Sequence, residues 1–205
     1  ALLAAILSAA APQTPLQWPP APASARLRFV EEIHLPQAPR PQGRRAALDW
    51  LKLLLGVDSA TRQEAREQAL LQPTGLFANN GILYIADPAR SAVLRYDLDK
   101  REGAWLGKAQ GLDLTSPVAV AGSPDGRLYI LDSARKKVLI LDAQGQPAGE
   151  LHGDPQGLGQ PAGLAVSDSR VYVSDVMQHR VSVYGLEGVF TQSFGRRGKE
   201  PGEFN

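Results

Sequence analysis

Three aspartates close near-identical apolar runs: Leu83-Tyr84-Ile85-Ala86-Asp87, Leu128-Tyr129-Ile130-Leu131-Asp132 and Val171-Tyr172-Val173-Ser174-Asp175. Carboxylates set out along a chain can ligate a metal or act as acid and base. Here each one occupies the same place in a repeating unit, and a residue required once per repeat is required by the fold. Such a carboxylate can accept backbone N–H bonds from the loop that follows it, as an Asx-turn. Tyr84, Tyr129 and Tyr172 recur with the aspartates and read as packing residues between successive units. All six are assigned as structural repeat residues.

The remaining candidates are basic. Arg90, Arg135, Lys136, His179 and Arg180 follow the aspartates in the connections to the next strands. A ring of repeats would bring these connections to one face, where a basic rim could receive an acidic partner surface. His179-Arg180 could contribute to a ligand or metal site, but the matching positions carry Ala92 and Lys137, which offer no second ligand. His34 and His152 stand alone, and the chain has three histidines and no cysteine. That composition excludes disulfides, thiolate metal sites and a cysteine nucleophile. No nucleophile elbow, phosphate-binding glycine loop or zinc-protease helix occurs. The residues therefore predict no catalytic group, no metal site and no cofactor.

The elements that must position these residues follow from a period. Prolines at 73, 117 and 161 open three alignable segments of 44 residues each. Each reads as four short strands: a run after the proline, the Tyr-containing run, a third run (Ala92–Asp97, Lys137–Asp142 and Arg180–Gly185) and a polar fourth, such as Phe190-Thr191-Gln192-Ser193-Phe194. Turn residues separate the first two: Asn79-Asn80-Gly81, Ser123-Pro124-Asp125-Gly126 and Ser167-Asp168-Ser169. Leu128-Tyr129-Ile130-Leu131 is apolar at both parities, so an inner strand must be covered on both faces, whereas the fourth strand is partly wet. Sheets stacked face to face around an axis give that gradient, and four strands per roughly 40–45 residues is a propeller period. The expected fold class is all-β: a partial β-propeller with a small helical insertion near the N-terminus.

The third segment carries Val171-Tyr172-Val173-Ser174-Asp175, Gln178-His179-Arg180-Val181-Ser182-Val183-Tyr184, Ser193-Phe194-Gly195 and Pro201-Gly202-Glu203-Phe204. This succession resembles the NHL repeat, over residues 73–205. The resemblance implies a β-propeller of the bacterial exported type. Family propellers usually have about six blades, so roughly half of the ring would lie outside this chain.

The flanking segments set further expectations. Residues 1–25 are an uncharged apolar run, Ala1–Ala11, followed by a Pro/Ala-rich linker. The run is read as an export signal, or as part of a membrane anchor if it is longer upstream. Alanine stands where a lipobox would carry cysteine. Residues 26–43 hold a strand expected to close the last blade of the ring. Residues 44–72 are expected to form a helical hairpin that plugs one ring face or, since Trp50, Leu53 and Leu54 widen its apolar side, docks a partner. Its first helix places Leu48, Leu51 and Leu55 on one side, and its second runs from about Ala60 to Leu71 with Thr61 and Glu64 at capping-box spacing. Residues 73–116, 117–160 and 161–205 are three blades, the last with the start of another.

With 205 residues, 43% hydrophobic and 21% charged, the composition is that of a globular protein. The net charge of +1 argues against nucleic acid as a partner. The expected function is an exported, periplasmic or cell-surface scaffold, non-enzymatic, that binds a protein or surface ligand through loops on one propeller face. The alternative is a propeller hydrolase or lyase with a metal site in the central channel, completed by further blades.

Overall fold

The computed structural model describes residues 69–204, together with Gln17–Trp18 and Leu27–Arg28. From residue 75 onward, each 44-residue segment folds into one four-stranded antiparallel sheet whose strands pair in chain order. Sheet 1 comprises β3 (Gly75–Asn79), β4 (Ile82–Asp87), β5 (Ala92–Asp97) and β6 (Glu102–Leu106), following two short strands β1 (Gln17–Trp18) and β2 (Leu27–Arg28). Sheet 2 comprises β7 (Pro117–Gly122), β8 (Leu128–Asp132), β9 (Lys137–Leu141) and β10 (Pro147–Glu150). Sheet 3 comprises β11 (Pro161–Val166), β12 (Arg170–Asp175), β13 (Arg180–Gly185) and β14 (Phe190–Phe194). The turn in sheet 1 shows the local logic. Asn80 and Gly81 both have positive φ, 49° and 74°, and join β3 to β4 with Asn79 opposite Ile82. That is the two-residue hairpin an Asn-Gly pair favours, because its twist matches that of the strands.

The side-chain alternation of strands explains how the sheets stack. In β8, Leu128 and Ile130 join Ala86, Val93, Leu112 and Val120 in one buried cluster between sheets 1 and 2. Tyr129 and Leu131, on the opposite face, join Val171, Val173 and Tyr184 in a second cluster between sheets 2 and 3. Every residue of β8 is buried, and every residue of β10 is exposed. The wet outer strand and doubly covered inner strand expected of a propeller wedge are thus both present. Hydrogen bonds cross between sheets at their edges. Thr74 Oγ1 donates to the Val118 carbonyl at 3.0 Å, Ser133 Oγ to that of Pro161 at 2.9 Å, and the Tyr129 hydroxyl to that of Leu186 at 2.7 Å.

The three tyrosines are not equivalent in what they touch. Tyr84 packs on the first cluster and stacks with Phe77 at 6.2 Å, and Tyr129 is fully buried in the second. Tyr172 shares the parity of Tyr129 but lies on the face of sheet 3 turned away from sheet 2. It is half-buried and belongs to none of the buried clusters among the described residues.

Residues 1–34 form a unit of their own. In it Gln17 pairs with Arg28 and Trp18 with Leu27, antiparallel, so a strand stands within the stretch read as linker. The rest of the 26–43 strand, the apolar run Ala1–Ala11 and most of the 44–72 hairpin lie outside the described residues. Its final residues, 69–72, are bends or irregular rather than helix. The cause is a competing acceptor: Leu71 and Gln72 give their backbone amides to Asp87. Among the described residues no helix is long and apolar enough to cross a membrane.

Candidate functional site

The loops between the second and third strands of each sheet share one framework. Asp87 accepts from the amides of Leu71, Gln72 and Arg90 at 2.6, 3.1 and 3.3 Å. Asp132 accepts from Thr115, Ser116 and Arg135 at 2.6, 3.1 and 3.1 Å. Asp175 accepts from Gly159, Gln160 and Gln178 at 2.6, 3.0 and 3.0 Å. All three carboxylates are buried. One bond in each set lies in the following loop; the other two reach upstream to the segment entering the same sheet. Each aspartate therefore clamps two loops together, and its lone pairs are occupied by backbone donors.

Side chains reinforce the clamp at a fixed offset. Three residues after the aspartate, Arg90 Nε donates to the Ala69 carbonyl at 2.5 Å, and the Arg135 guanidinium donates to that of Asp113. Gln178 Nε2 does the same to Gln156 at 3.4 Å. Arg90 also lies over the Trp105 ring at 4.7 Å, and Arg135 pairs with the Asp113 carboxylate at 2.5 Å. The next residues, Ser91, Lys136 and His179, are left-handed with φ of 52°, 55° and 50°. A strained position repeated in every sheet belongs to the turn, not to chemistry.

Arg180 is not a rim residue. Its side chain is 7% exposed, and its Nη2 pairs at 2.8 Å with Oδ2 of Asp154, whose side chain is 4% exposed. Nη2 also donates to the Gly157 carbonyl at 2.9 Å, Nε to Gln178 Oε1 at 2.6 Å and Nη1 to Ser193 Oγ at 3.3 Å. The hydroxyls of Ser182 and Tyr184 donate to the same Asp154 oxygen at 3.0 and 3.3 Å. Burial, and after it the negative charge of Asp154, push the Tyr184 hydroxyl up to about 12. This network fixes the β10–β11 connection onto sheet 3. Its sequence signal is internal: only the third unit has both an acid seven residues before its proline and arginine at the start of its third strand.

Lys136 is exposed and His179 half-buried on the loop face, so of the five basic residues these two are the least committed to the framework. The same face carries a feature that the charges hid. Val176 and Met177 are 55% and 63% exposed at the tip of the loop anchored by Asp175. Beside them is a cavity of about 220 Å³ lined by Val176, His179, Val181 and Phe204. Phe204 is held there by a short loop in which its amide donates to the Arg196 carbonyl at 2.8 Å and its carbonyl accepts from Gly198 at 3.0 Å. Gly195 makes room, since a Cβ there would sit 2.3 Å from the Phe204 ring. Among the described residues no three His, Cys, Asp or Glu side chains gather as a metal site.

Neither a protein-family model nor a curated protein matches the chain. Solved structures do. It is similar to a structure of a nidogen/laminin complex (TM-score 0.52, 18% identity, covering 62% of this chain and 48% of that one). It is similar to virginiamycin B lyase from Staphylococcus aureus (TM-score 0.51, 13% identity, 64% and 42%). It is also similar to the WD40 repeats of RRP9 (TM-score 0.50, 18% identity, 61% and 39%). The chain spans less than half the length of each. These are β-propeller proteins with both binding and enzymatic members, so the likeness is one of fold. With three four-stranded antiparallel sheets packed as successive wedges, the chain is a partial β-propeller.

Proposed function

We propose that this chain is a non-enzymatic propeller scaffold of the NHL type that binds a protein partner through the loops joining second and third strands. One observation carries the reading: Val176 and Met177 stand exposed side by side on a loop whose base is fastened by three backbone bonds to Asp175. Exposed apolar side chains on a pre-ordered loop lose little conformational entropy on binding, and they supply the anchors from which interfaces draw most of their energy. Lys136 and His179 add a polar, mildly basic rim that favours an acidic surround on the partner. Export to a periplasm or cell surface, with the N-terminal run as signal or membrane anchor, is part of the proposal and rests on Ala1–Ala11 alone. A ring of about six blades is also part of the proposal and rests on the repeat resemblance.

The test is capture from an extracytoplasmic extract by the immobilised chain and by a Val176→Ser/Met177→Ser variant. A partner retained by the parent and lost from the variant, with an unchanged melting temperature, is the expected result. Equal capture by both removes the loop face from the reading. Stoichiometric calcium or zinc in the purified protein would favour the hydrolase or lyase instead.

A further inference from the structure

Wedges that meet along their inner strands must splay at their outer ones. Between sheets 1 and 2 that splay leaves a cavity of about 430 Å³, away from the Val176–Met177 loop. Tyr84 and Leu106 form its accessible apolar part, backed by buried Leu128 and Leu141, and Arg95, Asp142 and Gln144 are among its polar residues. Its volume lies within the range of about 300–1,000 Å³ typical of small-molecule sites.

Arg95 sets this cavity apart from the other arginines discussed above. Its strand position faces sheet 2, because it pairs with Tyr84 and shares the parity of buried Val93. It is half-buried, yet among the described residues its guanidinium has no hydrogen bond, ion pair or aromatic partner. The Tyr84 hydroxyl in the same cavity is likewise without a hydrogen bond. Arg90, Arg135 and Arg180 are all spent on carbonyls, carboxylates or rings. A partly desolvated, permanently charged fork without an acceptor is a ready receptor for a planar oxyanion.

We infer that this cleft between the first two blades binds a small carboxylate with an apolar or aromatic body. The carboxylate meets Arg95 and the Tyr84 hydroxyl, and the body rests on half-buried Leu106 and the Tyr84 ring. Asp142 selects the charge. Its Oδ1 accepts from the backbone amides of Gln144 and Gln146 at 2.9 and 2.8 Å, which holds the carboxylate in position at the cleft. A doubly charged phosphate is repelled by it more than a singly charged carboxylate is.

Phenylacetate and phenylacetamide differ in charge but hardly in shape, and they are the probes for titration followed by NMR shifts. The expected result is saturable binding of phenylacetate that moves resonances of Tyr84, Arg95 and Leu106, at least about ten-fold tighter than the amide. Arg95→Gln should reduce acid affinity to that of the amide. The acid–amide comparison on the parent chain stands even if the variant folds poorly. Equal affinity for acid and amide, shifts that map elsewhere, or no saturation of the parent by about 20 mM phenylacetate overturns the assignment.

Discussion

Asp154 and Arg180 lie 26 positions apart and meet at 2.8 Å inside sheet 3, with Ser182 and Tyr184 completing the shell around the carboxylate. Buried ion pairs are poor sources of net stability, yet removing one partner strands the other charge out of water. Asp154→Ala is therefore expected to cost about 3–5 kcal/mol, read by urea denaturation. Replacing both residues with apolar side chains of similar volume should recover most of the loss. A single variant that unfolds at the parent's midpoint would show the pair to be solvated.

Clamp variants should separate by acceptor count. Asp132→Ala leaves the amides of Thr115, Ser116 and Arg135 without their acceptor, each part-buried bond to a charged group being worth at most about 1.5–3 kcal/mol. Asp132→Asn keeps one oxygen and should lose less. Hydrogen exchange at those three amides is the direct readout, and it should accelerate in both variants while strand β8 stays protected in the milder one.

Alkaline titration tests Tyr184. Its folded hydroxyl ionises near 12, above the ordinary value of about 10. The unfolded chain therefore releases this proton first. The stabilising contribution is intact below about pH 10 and disappears as pH climbs through about 12. Absorbance of tyrosinate should show Tyr184 among the last to ionise, coincident with loss of sheet structure. Tyr184→Phe should flatten the fall in stability over that window.

Gly75 probes the contact between sheets 1 and 2. A Cβ there would stand 2.6 Å from Ala119 Cα and 2.7 Å from the Val118 carbonyl oxygen, both backbone atoms. Gly75→Ala should force the sheets apart at a cost of about 1–3 kcal/mol in thermal or urea unfolding. An unchanged midpoint would mean the two sheets are not held at this separation.

The fold was legible because burial leaves a mark on residue type. Leu128–Leu131, apolar at both parities, demands cover on two faces, and β8 has it. The polarity of Phe190-Thr191-Gln192-Ser193-Phe194 likewise matches a mostly exposed β14. The loop face was harder. Backbone amides carry no sequence signature, so the upstream partners of Asp87, Asp132 and Asp175 could not be named in advance. Nor does an arginine's type say whether it reaches into solvent or folds back. Arg90 and Arg135 fold back, and Arg180 is drawn inward by an acid that only comparison among the units brings out. Val176 and Met177 are invisible for the opposite reason, since apolar residues beside a strand read as core.

The upstream reach of the clamps bears on where one module ends. Asp132 takes its amides from Thr115 and Ser116, and Arg135 binds the Asp113 carbonyl, all before Pro117. A segment cut at the proline would leave its own fastening on its neighbour. Cut a few positions earlier, ahead of Asp113, it carries every group of its own clamp within about twenty residues of sequence. Such short-range closure lets each loop pair form early, while the sheet still needs its neighbours to cover both faces. Tandem duplication, deletion or circular permutation is thus best tolerated in that earlier frame, which makes it the natural seam for lengthening or shortening the array.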